Sequence, residues 1–281
     1  MLSTPFATVS VNAKPTKVML NESVKYTLPY PPTVSDTCVI IPMYNECENA
    51  AAIIDAVMAL PVKIDVLVID DNSPDGTAKI VKDKIEEYPG RVEIIEREGK
   101  LGLGTAYICG FKHCLKKHYD FICEMDADFS HNPNDLLKLR QACIDEDADV
   151  AIGSRYVSGV NVVNWPMGRV LMSFYASKYV RLITGMPVHD TTAGFVCYRR
   201  EVLEEMDLDK IKFKGYAFQI EMKFTAYMRG FKIVEVPIIF INRVLGTSKM
   251  NSGIFGEAVF GVIRLKWNSL WHPRPKNNSI I

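Results

Sequence analysis

Two carboxylates one residue apart, Asp126 and Asp128, follow the apolar run FICEM. Leaving a strand, such a pair can turn both side chains toward one hard cation. Mg²⁺ and Mn²⁺ suit that site, taking one or two carboxylates and completing their shell with phosphate oxygens. For Asp128 a plain place beside a helix N-terminus is the other reading. A second acidic group, Asp70-Asp71, closes the run VLVID and opens the turn Asn72-Ser73-Pro74-Asp75-Gly76. Ser73 and Asp75 read as turn and helix-cap chemistry. Asp71 reads as a ligand contact, because an acid after the second strand of a nucleotide-binding fold meets ribose or base donors. A third, Glu46, follows Pro42-Met43-Tyr44-Asn45. Three acidic groups on one edge would repel one another unless a cation or hydrogen-bond donors stood among them. That pattern calls for a divalent metal and a hydroxyl-rich ligand.

The elements that must position these residues are regular. CVIIP (38–42), VLVID (66–70), RVEIIE (91–96), FICEMD (121–126) and DVAIGS (149–154) read as strands, with helices over 48–60, 75–88, 103–118 and 134–145 between them. Single helices between strands mean βαβ units, so the fold class is α/β with a mostly parallel central sheet flanked by helices. Ligands bind such sheets beyond the carboxyl ends of the strands, where the strand order reverses, and all three acidic groups fall at those ends. After residue 155 the spacing predicts a helix over 167–184, a strand pair or one bent strand over 231–241 broken at Pro237, and an amphipathic helix over 254–271. Residues 1–36, rich in Thr, Val, Ser and Pro, read as a flexible N-terminal extension, with Met19 an alternative start. The glycine-rich stretch Gly99–Ala106 is followed by Tyr107, so it is not a GxGxxG fingerprint. It is either a close-approach turn or a border of the nucleotide.

Composition narrows the classes. The 281 residues are 48% apolar and carry 33 basic and 33 acidic side chains, for a net charge of +0. A core can form, so general disorder is excluded. A broad basic nucleic-acid surface is not indicated, and no nucleic acid is expected as a partner. No apolar run reaches the roughly 18 residues of a membrane-spanning helix, and the N-terminus lacks the pattern of a signal peptide. Seven cysteines without a CxxC pair read as reduced thiols in a cytoplasmic protein. The five histidines are scattered and form no zinc motif.

The segments PMYNE, DDNSPDGT, GKLGLGTAY, EMDADFSHNP, GSRYVSG, NWPMGR, DTTAGF, KGYAFQIEM and GTSKM, in unbroken order over about 37–270, resemble dolichyl- and polyprenyl-phosphate mannose synthases. These are inverting family-2 glycosyltransferases of the GT-A (Rossmann-like) fold. The resemblance implies transfer of mannose from GDP-mannose to a polyisoprenyl phosphate with Mg²⁺ or Mn²⁺, by a domain spanning 37–250 that is followed by an amphipathic helix and tail over 251–281. It implies nucleotide-sugar contacts for Pro42, Tyr44, Glu46, Asp71, Asp126 and Lys249. It implies a metal and diphosphate site at Asp126 and Asp128, with Ser130 where relatives often place Gln or Ser. It also implies a basic ring of Arg155, Arg169, Arg243 and Lys249 around the donor and acceptor phosphates, with Asp128 among the catalytic groups.

The chemistry agrees. Arginine forks offset repulsion between two phosphate groups, and a phosphate acceptor is already ionised at pH 7. Asp190 is the candidate if a base or an acceptor-orienting group exists; turn capping is its other reading. Glu221 is either turned to the site or a buried hydrogen-bonded carboxylate. Arg169 stands just inside a helix start, where backbone donors also favour anions. The long lipid acceptor implies a membrane surface as partner. Aromatic and basic residues on the 167–184 helix (Phe174, Tyr175, Lys178, Tyr179, Arg181) and the 254–271 helix (Ile254, Phe255, Val259, Val262, Ile263, Trp267, Leu270, Trp271) suit a peripheral enzyme on the inner face of a membrane. Core packing is the other reading for both. The alternative donor is UDP-glucose on the same fold.

Overall fold

The structure is a computed structural model and describes residues 34–242 and 254–270, without the side chains of 216 and 254–259. In chain order the elements are β1 (Thr37–Met43), α1 (Ala50–Met58), β2 (Asp65–Asp70), α2 (Thr77–Glu87), β3 (Val92–Glu96), α3 (Leu103–Cys114), β4 (Phe121–Glu124), α4 (Asp135–Asp145), β5 (Val150–Ser154), β6 (Val162–Val163), α5 (Met167–Thr184), β7 (Val196–Arg199), α6 (Arg200–Glu205), α7 (Tyr216–Arg229), β8 (Ile233–Pro237), β9 (Phe240–Ile241) and α8 (Ile254–Ser269).

Strand β2 is buried at every position and β1 at nearly every one. Strands read as continuous apolar runs when helices cover both sheet faces. Side chains alternate across the sheet. Val39, Ile41, Val66 and Val68 meet α1, α2 and α4 on one face, while Ile40, Leu67, Ile69 and Ile122 meet α3, α6 and α7 on the other. The result is a three-layer α/β/α fold.

Seven strands form the main sheet in the order β3-β2-β1-β4-β7-β5-β8. All pairs are parallel except those of β7, which runs against both β4 and β5. The chain moves outward from β1 to β3, then crosses back to place β4 on the other side of β1. A right-handed crossover in the reverse direction must put its helix on the opposite face, and α3 is there. The strand order therefore reverses between β1 and β4, and a crevice opens at their carboxyl ends.

The five expected strands are present. Neither β6 nor β7 was anticipated, because each is too short to show a period. The 231–241 stretch is a pair of strands in different sheets. β8 ends the main sheet at Pro237, and β9 pairs with β6 in a two-stranded ribbon. Ser35 and Asp36, assigned by sequence to the extension, are anchored in the fold: Ser35 Oγ donates to the Lys63 carbonyl and Asp36 pairs with Arg140. Helices α5, α7 and α8 meet through Val180, Ile220 and Val262 in a separate small cluster.

Candidate active site

The loops after β1 and β2 are stitched together by side chains acting on backbone. Asn45 N–H donates to Ser73 Oγ (3.0 Å), Glu46 N–H to Thr77 Oγ1 (3.0 Å) and Cys47 N–H to Asp75 Oδ2 (3.1 Å). Asp70 accepts from Ser73 N–H and Oγ–H, and Asp75 from Thr77 N–H and Oγ1–H. Burial opposes ionisation of Asp75, but these bonds prevail and hold its pKa at about 2. Asp70 and Asp75 therefore build the turn. Asp71 instead meets Arg97 at the end of β3, with Nε 2.6 Å from Oδ1. Burial raises the Asp71 pKa, with Arg97 opposing it. Lys100 lies over the Tyr44 ring at 4.9 Å from the centroid. Pro42 pairs with Ile69 on the β2 side but lies past the last β4 pairing, Ile40 with Glu124. Tyr44, Glu46, Asp71 and Pro42 thus share the carboxyl edge at the switch point.

Asp126 and Asp128 stand across the crevice. Asp128 is buried, and its Oδ1 accepts the Ser130 N–H at 3.0 Å, which orients the carboxylate. Asp126 N–H donates to Nδ1 of buried His131 (3.2 Å), whose ring stacks on Phe195 at 4.7 Å. Burial pushes the His131 pKa down to about 4. At neutral pH it is therefore an uncharged acceptor pinning the Asp126 backbone. Ser130 is buried, and its carbonyl receives the Ile241 N–H at 3.3 Å. Among the described residues no cluster of three His, Cys, Asp or Glu forms a complete metal cage. The donor set is two hard carboxylates at an open edge. That is too few for a structural zinc, and it fits Mg²⁺ or Mn²⁺ completed by substrate phosphates.

On the β5 side, Arg155 and Asp190 are joined. Arg155 donates from Nε to Oδ2 and from Nη2 to Oδ1 (2.6 Å each) and from its backbone N–H to Oδ2 (3.0 Å). Burial would raise the Asp190 pKa, but the charge and bonds of Arg155 outweigh it and hold it below the ordinary range. Because β7 runs backwards, the loop that enters it, carrying Asp190, reaches the same edge as the loop leaving β5. Glu235 of β8 braces both, accepting Ser154 Oγ–H (2.7 Å), Asp190 N–H (2.9 Å) and His189 N–H (2.7 Å). Arg169, in the first turn of α5, lies 4.1 Å over the Trp165 ring and donates to Asn242 Oδ1 at 3.3 Å. Arg155 is 5.5 Å from the same ring, so one indole meets two guanidiniums, and among the described residues its buried Nε1–H has no hydrogen-bond partner.

Glu221 is a buried, hydrogen-bonded carboxylate. Its Oε2 accepts Lys212 N–H (2.8 Å) and Phe213 N–H (2.9 Å), the buried structural role. The glycine-rich stretch is a close approach between helices. A Cβ on Gly104 would stand 2.8 Å from the Phe213 carbonyl oxygen and from the Phe218 ring. Arg243 and Lys249 lie outside the described residues.

Sequence reasoning missed Arg97, Trp165, His131 and Glu235. Arg97 had a signal: it follows a strand and so belongs to the same edge as the acids. Glu235 acts through partners distant in sequence, Ser154 and Asp190, whereas His131 and Trp165 lie near Asp126 and Arg169 but are fixed by the distant Phe195 and Phe240.

A model described as "Glycosyl transferase family 2" matches residues 38–207. A polyprenol monophosphomannose synthase of Mycolicibacterium smegmatis is 47% identical over 226 residues, covering 80% of this chain and 85% of that protein. An undecaprenyl-phosphate mannosyltransferase of Micrococcus luteus is 45% identical, covering 83% and 94%. Among solved structures, glucosyl-3-phosphoglycerate synthase of Mycobacterium tuberculosis with Mn²⁺ and UDP superposes with a TM-score of 0.60 at 17% identity, over 85% of this chain and 81% of that one. A mannosyltransferase of Pyrobaculum calidifontis in complex with GDP-Man and Mn²⁺ gives 0.52 at 17% identity, over 87% and 74%. These structures share the fold.

Proposed function

Because the chain belongs to glycosyl transferase family 2 and has the GT-A fold, we propose that it transfers mannose from GDP-mannose, with inversion, to a polyprenyl phosphate and releases GDP. The two curated relatives are named for mannosyl transfer to just such acceptors. The observation that carries the reading is the meeting of a carboxylate pair and two arginines at one sheet edge. Carboxylates Asp126 and Asp128 stand after β4, and arginines Arg155 and Arg169 follow β5 and open α5.

Pro42, Tyr44, Glu46 and Asp71 border the nucleoside at the β1–β2 end of the crevice. Asp126 and Asp128 would hold a divalent cation, with Ser130 fixing Asp128 through its N–H. When bound, that cation neutralises charge developing on the diphosphate leaving group. Arg155 and Arg169, with Arg243 and Lys249 as further candidates, draw the two phosphates together by offsetting their repulsion. An acceptor phosphate oxygen forms the bond to the anomeric carbon as the bond to GDP breaks. That oxygen is already ionised, so no strong base is required. Asp190, paired with Arg155, serves as the orienting group.

The lipid acceptor calls for a membrane surface. No described helix is long and apolar enough to cross one. The described helices instead divide their apolar residues. Val180 and Val262 pack inward, whereas Leu182 is 83% exposed, Tyr175 60%, Phe260 76% and Trp267 64%. Such a face on α5 and α8 suits binding in the plane of the headgroups. The side chains of Ile254, Phe255 and Val259, and Trp271 as a whole, lie outside the described residues.

The test is a donor panel. Radiolabelled GDP-mannose, UDP-glucose and UDP-GlcNAc are each supplied with polyprenyl phosphate and Mg²⁺ or Mn²⁺. Organic-phase label from GDP-mannose is the expected result, and label only from UDP-glucose overturns the donor assignment.

A further inference from the structure

Lys223 is a cation that the chemistry above does not use. It lies on α7 with no exposure to solvent. Its ammonium donates to the Ala193 carbonyl (2.6 Å), to Gln219 Oε1 (3.1 Å) and to the Gln219 carbonyl (3.2 Å). An ammonium has three N–H groups and accepts nothing, so its capacity is filled. The same rule fixes the next link. Gln219 turns its oxygen toward Lys223, which directs its amide Nε2 away. That amide donates to Glu124 Oε2 at 2.5 Å. Glu124 is fully buried and is the last residue of β4, two before Asp126. A one-way line of hydrogen bonds thus runs from Lys223 to the strand that carries the metal carboxylates.

The other end of the line reaches the opposite half of the site. Ala193, which receives the Lys223 ammonium, lies in the loop of Asp190, and its N–H donates to the Asp190 carbonyl at 3.4 Å. Lys223 also interacts electrostatically with Asp190 and Arg155, as well as with Glu124. A buried polar line is a poor source of stability, because well-packed apolar side chains of similar volume do as well or better. Its two ends reach the Asp190 loop, at Ala193, and the last residue of β4.

We infer that Lys223, Gln219 and Glu124 form a positioning set that holds the β4 carboxylates and the Arg155–Asp190 pair at a fixed spacing, so that a donor diphosphate and an acceptor phosphate meet in register. Lys223 touches neither substrate and acts through Ala193 and Gln219. The inference rests on the transferase reading above.

The test uses the full chain with Lys223→Met, Glu124→Leu and the triple variant that combines them with Gln219→Leu. Three quantities are measured: thermal midpoint, amide hydrogen exchange over 126–131 and 190–194, and kcat and KM for GDP-mannose with Mn²⁺ and a short polyprenyl phosphate. Each single variant leaves buried polar groups of the line without a partner and lowers the midpoint. The triple variant replaces the whole line with apolar side chains and recovers most of that loss. In the recovered triple variant, exchange over 190–194 stays about tenfold faster than in the wild type. Its kcat stays at least about tenfold down, with KM for the donor little changed. A triple variant with wild-type exchange and kcat reduces the line to an ordinary core contact and overturns the inference. A triple variant as unstable as the singles overturns it too, since the side chains then do not act as one set. If the singles fail to fold, the triple variant alone decides. Absence of transfer by the wild type defeats the reading of the reaction, while the exchange comparison, made without substrate, still judges the positioning set.

Discussion

Arg155 and Asp190 grip each other through two side-chain hydrogen bonds of 2.6 Å, with Asp190 wholly buried. The guanidinium fork meets both carboxylate oxygens through Nε and Nη2, so the Asp190 charge is balanced where water cannot reach it. Asp190→Ala leaves the arginine buried without its partner and should cost about 3–5 kcal/mol of stability, read from chemical denaturation. The pH dependence has a definite sign. The folded pKa of Asp190 lies below its ordinary value of 3.8. The stability it adds is therefore complete above that value and is lost as pH falls through the folded value. The difference between wild type and Asp190→Asn should be full at pH 7 and shrink in the acid range below pH 3.8.

Asp126→Asn and Asp128→Asn should each abolish most metal-dependent transfer. The cation is asked to supply several kcal/mol of charge stabilisation, so a loss of about 10³-fold in kcat is expected. Titration of Mn²⁺ in the presence of GDP should show weakened binding in both variants. Unchanged Mn²⁺ affinity in the presence of GDP would remove that residue from the metal site.

Arg97→Ala should act on nucleotide affinity. It leaves Asp71 buried without its cation and releases the contact of Arg97 with Thr105 (2.8 Å). KM for the donor should rise about tenfold with kcat less affected, because the contact is made equally before and during reaction. The same variant should lower the thermal midpoint. Equal falls in kcat and kcat/KM would show that the pair serves the transition state instead.

Trp267→Glu and Leu182→Glu place a charge on the exposed apolar faces of α8 and α5. Both should reduce flotation with anionic liposomes at low salt, while turnover of a short, water-soluble acceptor stays near wild type. Wild-type flotation by both variants would locate the membrane contact elsewhere.

Gly104→Ala forces a Cβ against the Phe213 carbonyl and the Phe218 ring, both at 2.8 Å. A destabilisation of about 1–3 kcal/mol is expected, measured by denaturant midpoint.

The first half of the fold was legible because each strand there is followed by a helix long enough to show its own period. The strands from 38 to 154, and the acids at their carboxyl ends, could be placed from spacing alone. The second half was not, and β7 shows why. VCYR is four residues long, and only its pairing with β4 and β5 makes it a strand. Without β7 the direction of the Asp190 loop could not be derived, so the union of Asp190 with Arg155 was out of reach. Glu221 illustrates a different limit. The sequence placed it on a helix, but the face it presents depends on the Lys212–Phe213 backbone folding back to meet it. Lys223 carried a faint signal, the one lysine of α7, four residues after Gln219 and between Met222 and Phe224.

The reversal of β7 has an evolutionary corollary. The chain from 155 to 195 leaves and returns at the same rim, with its two ends clamped together by Arg155 and Asp190. A loop closed in this way pays only a logarithmic entropy cost for added length, about 0.6 kcal/mol per doubling. The excursion that carries α5 can therefore be lengthened, shortened or exchanged while the β1–β4 half stays as it is. One nucleotide-sugar scaffold of this kind can be refitted for a new acceptor by replacing a single cassette.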